Sequence, residues 1–212
     1  MRVIVTTSDG RKDILRGFAA RFNRYWDAEQ RVDVLGFEPV SGLPDNFRFH
    51  SLGRQSDFGK IWTDPLIPWF DALEDEPFVL MLDDYWITDY VNGVRVAMLY
   101  NMVYSTMADK ADLTQDRFNH PHKDTGFGNV LVSTQTARYR TSLQAAIWRT
   151  GYFRRYLAPG RSIWAFECKG YREAFNDGAT ILGTVDGVVK YENVTVNGEA
   201  VGQLKEQREA AR

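Results

Sequence analysis

Apolar residues in this chain recur with two periods. Val3 to Thr6 reads as a buried strand, Val32 to Phe37 and Phe47 to Leu52 as a second and third, and Phe78 to Leu82 as the most strongly apolar strand. Between them lie segments of helical period. After Ser8, Asp9 and Gly10, the residues Ile14, Leu15, Phe18, Phe22, Tyr25 and Trp26 repeat at spacings of three and four, which predicts a crossover helix. Asp64 followed by Pro65 predicts a capped helix start, with Leu66, Trp69, Phe70 and Leu73 on one face. Thr88 or Asp89 is the expected cap of a helix carrying Val91, Val94, Met98, Leu99 and Met102. Strand and helix in alternation predict an α/β domain with a mostly parallel sheet.

The second half is less regular. Residues 105–129 are polar and predict a loop containing His120, Pro121 and His122. Val130 to Ser133 is a short strand, and Ser142 to Trp148 reads as strand rather than helix. Gly151 to Leu157 forms a helix stopped by Pro159 and Gly160, and Ser162 caps another through Lys169. Thr180 to Thr184, the turn Asp186-Gly187, and Val188 to Val196 before Asn197-Gly198 predict a terminal β-hairpin element. The last ten or so residues are charged and expected to fray.

Composition narrows the class. The chain has 212 residues, with 44% hydrophobic, 14% aromatic and 25% charged content, which is globular and excludes a low-complexity or disordered chain. The single cysteine, Cys168, forbids an intrachain disulfide and a cysteine-cluster metal site, so a cytoplasmic protein is expected, with Cys168 a packing residue. No apolar run is long enough to span a membrane, and the opening is strand-like rather than a signal peptide.

Charge is unevenly distributed under a net sum of -2. Residues 1–124 carry 14 basic and 20 acidic groups, whereas residues 125–166 carry six arginines and no acid. Arg is the side chain suited to bidentate phosphate contacts. Within Arg138, Arg140, Arg149, Arg154, Arg155 and Arg161, one or two could hold a diphosphate and the others a nucleic-acid backbone; the competing expectation is that several pair with the acids of the first half.

Two constellations could carry chemistry. Asp83 and Asp84 end the most apolar strand, and carboxylates beyond the carboxyl end of a strand suit a hard divalent cation bridging a diphosphate; turn formation or helix capping is the plainer alternative. Gln144, Trp148, Trp164 and Glu167 fall in or beside the arginine-rich segment. There Glu167 could serve as a general base toward a hydroxyl, and the tryptophans as flat walls for a sugar or base ring or as core. His50, His120 and His122 receive no role.

In order and spacing, Thr6-Thr7-Ser8-Asp9-Gly10-Arg11 after the first strand, Leu82-Asp83-Asp84-Tyr85-Trp86, Ser142 to Trp148, and Trp164-Ala165-Phe166-Glu167 resemble small GT-A-type glycosyltransferases of the bacterial and phage kind, over most of residues 1–191. The resemblance implies a GT-A-like, mostly parallel central sheet flanked by helices with a small C-terminal β-hairpin. It implies one domain over residues 1–200, divided into a nucleotide-sugar half (1–104) and an acceptor half (105–200), then a charged tail (201–212). It further implies that Thr7, Ser8, Asp9 and Arg11, with Asp83, hold a nucleoside-diphosphate sugar such as a UDP-sugar. Asp83 and Asp84 would bind the donor phosphates through Mn2+ or Mg2+, Arg138 and Arg140 would assist at phosphate, and Glu167 would be the base of an inverting transfer. Tyr85, Gln144, Trp148 and Trp164 would meet a hydroxyl-bearing acceptor, a hydroxymethylated base in phage DNA being one candidate, in the host cytoplasm if the chain is phage-encoded. The adjacent acids depart from the family's Asp-x-Asp spacing, so the aspartate that ligates the metal stays open. A sugar nucleotidyltransferase is disfavoured because the loop after the first strand has one glycine; a non-catalytic nucleotide or nucleic-acid binding protein is the alternative from another class.

Overall fold

The computed structural model describes residues 1–196 and 198–210. Its strands are β1 (Arg2–Thr6), β2 (Val32–Gly36), β3 (Phe47–Ser51), β4 (Pro77–Leu82), β5 (Tyr85–Ile87), β6 (Lys110–Asp112), β7 (His122–Asp124), β8 (Val130–Ser133), β9 (Ala146–Arg149), β10 (Ile181–Thr184), β11 (Tyr191–Asn193), β12 (Thr195–Val196) and β13 (Glu199–Ala200). The helices are α1 (Lys12–Phe22), α2 (Ile67–Asp71), α3 (Gly93–Tyr104), α4 (Thr150–Tyr156), α5 (Ile163–Glu173) and α6 (Gly202–Ala210).

Nine strands form one sheet in the order β3-β2-β1-β4-β9-β6-β10-β8-β7. Pairing is parallel from β3 to β4 and between β6 and β10, and antiparallel around β9 and β8. The expected mostly parallel sheet is therefore present, with β9 and β8 running against the rest. Helices cover both faces: α1 and α3 close one core with Phe18, Phe22, Leu99 and Val103, while α2, α4 and α5 close the other with Phe70, Phe153 and Phe166.

The four strand segments expected in the first half are β1 to β4. Of these, β1, β2 and β4 are buried on both faces and largely apolar, while β3 at the sheet edge is partly exposed and mixes Phe47 and Phe49 with Arg48, His50 and Ser51. Helix starts differ from expectation where a side chain found a distant partner. Asp64 accepts from the Gly160 amide (2.6 Å) rather than capping, and α2 begins at Ile67. Asn92 caps α3 by accepting from the Arg95 amide (3.1 Å), while Asp89 pairs with Lys190. The polar 105–129 segment contains β6, whose Lys110, Ala111 and Asp112 are buried at the middle of the sheet. Lys110 and Arg117 there share Asp112 (2.7 and 2.8 Å), a pairing that allows charged residues to occupy a core position.

The C-terminal strand pairs also differ in partner. β11 pairs antiparallel with β5, while β10 enters the main sheet beside β6 and β8. β12 and β13 make a small hairpin around Gly198; Asn197 of the expected turn lies outside the described residues. The segment expected to fray forms α6, with Leu204 buried, and its last two residues, 211 and 212, lie outside the described residues. Among the described residues, no helix is long and apolar enough to cross a membrane.

One close approach fixes the geometry next to the acid pair. The Trp86 indole donates to the Ile14 carbonyl (3.0 Å) and lies flat on α1 at Gly17. A Cβ there would stand 2.1 Å from the ring, so only glycine admits this contact.

Candidate active site

The chain runs from β1 outward to β3 and returns to β4 on the other side of β1, so the sheet order reverses between β1 and β4. In such sheets a crevice opens beyond the carboxyl ends at the reversal. Thr6 and Leu82 are register partners at those ends, which sets the following residues, Thr7 and Asp83, side by side. A cleft of about 920 Å³ opens there. A smaller cavity of about 220 Å³ lies at the other end of the same strands, near Arg2 and Pro77.

The floor of the cleft is a closed polar network. Thr7 Oγ1 donates to Asp83 Oδ2 (2.6 Å), and Arg11 donates to the same carboxylate through Nε (3.0 Å) and Nη2 (2.7 Å). The same Nη2 reaches Asp84 Oδ2 (3.0 Å), which also accepts from Thr195 Oγ1. Burial pushes the Asp83 carboxyl up to about 6, against the pull of Arg11 and Thr7. Burial works against the Arg11 charge as well, but the two aspartates raise its pKa above that of an ordinary arginine. Asp83 therefore has no oxygen to spare, whereas Asp84 Oδ1 is buried with no partner among the described residues.

The opposite wall comes from α5. Ser162 caps it, accepting from the Ala165 amide (3.2 Å), and Glu167 follows one turn later. Glu167 Oε1 accepts from the Leu143 amide (2.7 Å), Oε2 has no hydrogen-bond partner among the described residues, and the residue lines the cleft. Burial raises the Glu167 carboxyl above the ordinary range; the Leu143 amide and the Lys110 charge oppose this. Trp164 lines the same wall with its side chain largely exposed.

No protein-family model matches the chain, and no curated protein sequence matches it. Solved structures do. A galactosyltransferase, LgtC, in complex with donor and acceptor sugar analogs is 12% identical with a TM-score of 0.50, over 86% of this chain and 73% of that one. Residues 1–349 of S. aureus TarS are 16% identical with a TM-score of 0.54, over 91% of this chain and 60% of that one. The fold is GT-A-like.

Within this GT-A-like frame, Thr7, Ser8, Arg11, Asp83, Asp84, Tyr85, Trp164 and Glu167 all line the one cleft. Asp9 braces its rim, its amide donating to Gln55 Oε1 (2.6 Å) and its carboxylate accepting from the Glu38 amide (3.0 Å). Tyr85 stacks on Tyr191 at 4.2 Å, and the Tyr191 hydroxyl donates to Gln144, so Gln144 acts behind Tyr85 rather than in the cleft.

Three further expectations need correction. Trp148 is fully buried between Phe153, Phe166 and Lys110, so it cannot wall an acceptor. Arg140 is fully buried too; its guanidinium is used on the Ala174 (2.8 Å), Thr134 (3.0 Å) and Ala179 (2.8 Å) carbonyls and on Asp177 (2.8 Å), which removes it from any phosphate. Arg138 is exposed but does not line the cleft; its carbonyl accepts from Arg117 (2.8 Å). The arginine block as a whole is largely neutralised: Arg149 pairs with Asp75, Arg154 with Asp71, and Arg161 with Glu173.

Sequence reading missed Phe37, Gln55, Lys60 and Trp62, which line the far side of the cleft, and Asn193 and Thr195, which close it beside Asp84. Asn193 and Thr195 reach the site only because β11 pairs with β5, a contact with no local sequence signal. Gly53 and Gly59, both at positive φ, bracket the Gln55 segment and mark it as a shaped loop.

Among the described residues, no three acids, histidines or cysteines converge on a point. A hard cation such as Mg2+ needs only one or two protein carboxylates when substrate phosphates complete its shell. Asp84 Oδ1, buried and without a partner among the described residues, is suited to that role; Asp83, saturated by Arg11 and Thr7, is not.

Proposed function

We propose that the chain is a glycosyltransferase that moves a sugar from a nucleoside-diphosphate sugar to an acceptor hydroxyl with inversion. What carries this reading is the Asp83-Asp84 pair at the reversal point of a GT-A-like sheet, facing Glu167 across one cleft. Thr7, Ser8 and Asp9 take the nucleoside end of the donor, and the diphosphate lies over Asp84. Mn2+ or Mg2+ held by Asp84 Oδ1 would neutralise the leaving diphosphate. Arg11, clamped between both aspartates, fixes the direction of Asp84; Asp83 is the positioning residue that holds Arg11.

Glu167 Oε2 accepts the proton of the acceptor hydroxyl as that oxygen bonds to the anomeric carbon. The bond from that carbon to the donor phosphate oxygen breaks with its electron pair, releasing the nucleoside diphosphate. Oε1, bonded to the Leu143 amide, holds the carboxylate in place during the transfer. Trp164 offers the acceptor a flat apolar face. Among acceptors, a hydroxymethylated base is favoured by Arg138 and Arg172, which are exposed and, among the described residues, pair with no carboxylate.

A thermal-shift screen of nucleoside-diphosphate sugars with and without Mn2+ tests the reading, because a ligand held by the native state raises its melting temperature. One donor class should stabilise the chain, and more strongly with Mn2+. That donor should release its nucleoside diphosphate in the wild type and not in Glu167→Gln. Absence of any shift across the panel, or unchanged release in Glu167→Gln, overturns it.

A further inference from the structure

The exposed face of α5 carries rings away from the cleft. Phe166 and Gly170 mark its buried side. On the other side, at helical spacing, stand Trp164, Tyr171 and, just past the helix end, Phe175. Trp164 is 66% exposed and Phe175 is 38% exposed. Tyr171 meets Tyr139 at 5.4 Å and Phe175 at 5.6 Å between ring centroids, and Tyr139 meets His120 at 5.7 Å. Tyr139 holds φ at 56°, a left-handed backbone rarely adopted by aromatic residues, and its ring is exposed. Seven residues separate Trp164 from Tyr171, about 10 Å along the helix, so the rings form an interrupted track that begins beside Glu167.

The charges next to this track are one-sided. Beyond Glu167 at its start, the carboxylates near it are already held: Glu173 by Arg161, Asp177 by Arg140, and Asp116 by Arg117. Arg138 and Arg172 are exposed, and among the described residues neither pairs with a carboxylate; Arg172 lies 5.9 Å from the Tyr171 ring centroid. We propose that this track binds a single-stranded nucleic acid, its bases on Trp164, Tyr139 and the half-buried Tyr171 and its phosphates on Arg138 and Arg172, so that a hydroxyl borne by a base is delivered to Glu167. Exposed rings stack on any base, and lysine and arginine draw the backbone. A neutral glycan would use the rings and leave the cations without a partner, and a duplex keeps its bases away from them. Delivery to Glu167 rests on the glycosyltransferase reading; strand binding does not.

Fluorescence anisotropy of the full chain with a labelled single-stranded DNA dodecamer, over a salt series and without donor, tests the track. The logarithm of affinity should fall linearly with that of salt concentration. Tyr171→Ala should weaken binding roughly tenfold, while Tyr171→Phe, which keeps the ring, should retain it. Arg138→Ala should reduce the salt slope by about one; Arg154→Ala, whose guanidinium Asp71 already holds, should leave it unchanged. Absence of strand binding, equal affinity for the duplex, salt-independent binding of a neutral gluco-oligosaccharide in place of the strand, or equal slopes in the two arginine variants overturns the proposal. Lost strand binding with donor hydrolysis intact removes only the track, and strand binding without donor turnover removes only the transferase.

Discussion

The two walls of the cleft solve opposite problems. Around Thr7, Arg11, Asp83 and Asp84 nearly every polar group has a partner within the wall itself, and one oxygen, Asp84 Oδ1, is left over. Along α5 the groups are held from behind and free in front: Glu167 by one amide, and Trp164 by its helix alone. A saturated wall has a single geometry, which suits a fixed diphosphate. A wall anchored at one point can meet an acceptor that varies.

The sharpest way to break this contrast is to remove chemistry from the α5 wall alone. Glu167→Gln keeps the shape and can still accept from the Leu143 amide, so donor affinity should hold while transfer falls by about 10² to 10⁴. Steady-state kinetics and donor titration on the same sample separate the two. In the wild type, kcat/KM should rise with pH through a midpoint above that of an ordinary glutamate. The base works only when ionised, and burial raises its pKa. That limb should vanish in Glu167→Gln.

The opposite wall should fail differently. Asp83→Asn strips Arg11 of its bidentate partner and leaves a largely buried cation half-paired, at a cost of about 2–4 kcal/mol in chemical denaturation, discounted for the part of Arg11 that solvent reaches. Asp84→Asn should leave folding nearly intact and abolish the added donor affinity that Mn2+ confers. Equal destabilisation by both variants would mean that the pair is not divided between anchor and ligand.

Part of the saturated wall is legible in sequence because it is local: an apolar strand followed by polar residues, twice, is enough to place Thr7 and Asp83 each at a strand end, though not to make those ends neighbours. Arg11 is legible as a site residue but not as the clamp on Asp83, since nothing in sequence spacing reports a contact across 72 positions. The acceptor half is harder. Trp148 and Trp164 look alike in sequence, yet one lies on a central strand and the other on the outer face of a helix. Charge counts mislead in the same way: six arginines without an acid suggest a phosphate surface, but four of them meet carboxylates from elsewhere in the chain.

A smaller effect probes how the saturated wall is supported. Gly17→Ala places a methyl against the Trp86 ring, two residues beyond Asp84. Because ring and helix must separate, a loss of about 1–3 kcal/mol is expected by denaturant unfolding. Donor affinity should fall with it if α1 and β5 set the direction of Asp84; unchanged affinity would place the rigidity of that wall in Arg11 and its partners alone.

The smallest change lies where the walls meet. Tyr191→Phe keeps the ring that stacks on Tyr85 and removes the hydroxyl that donates to Gln144. One lost hydrogen bond at a part-buried site should lower stability by about 1 kcal/mol. With stacking unchanged, Tyr85 stays in place and donor affinity should not move. If KM for the acceptor rises while kcat holds, the Gln144-Tyr191-Tyr85 chain positions the acceptor side of the cleft. A shift in donor affinity instead would assign Tyr85 to the saturated wall, where its neighbour Asp84 already belongs.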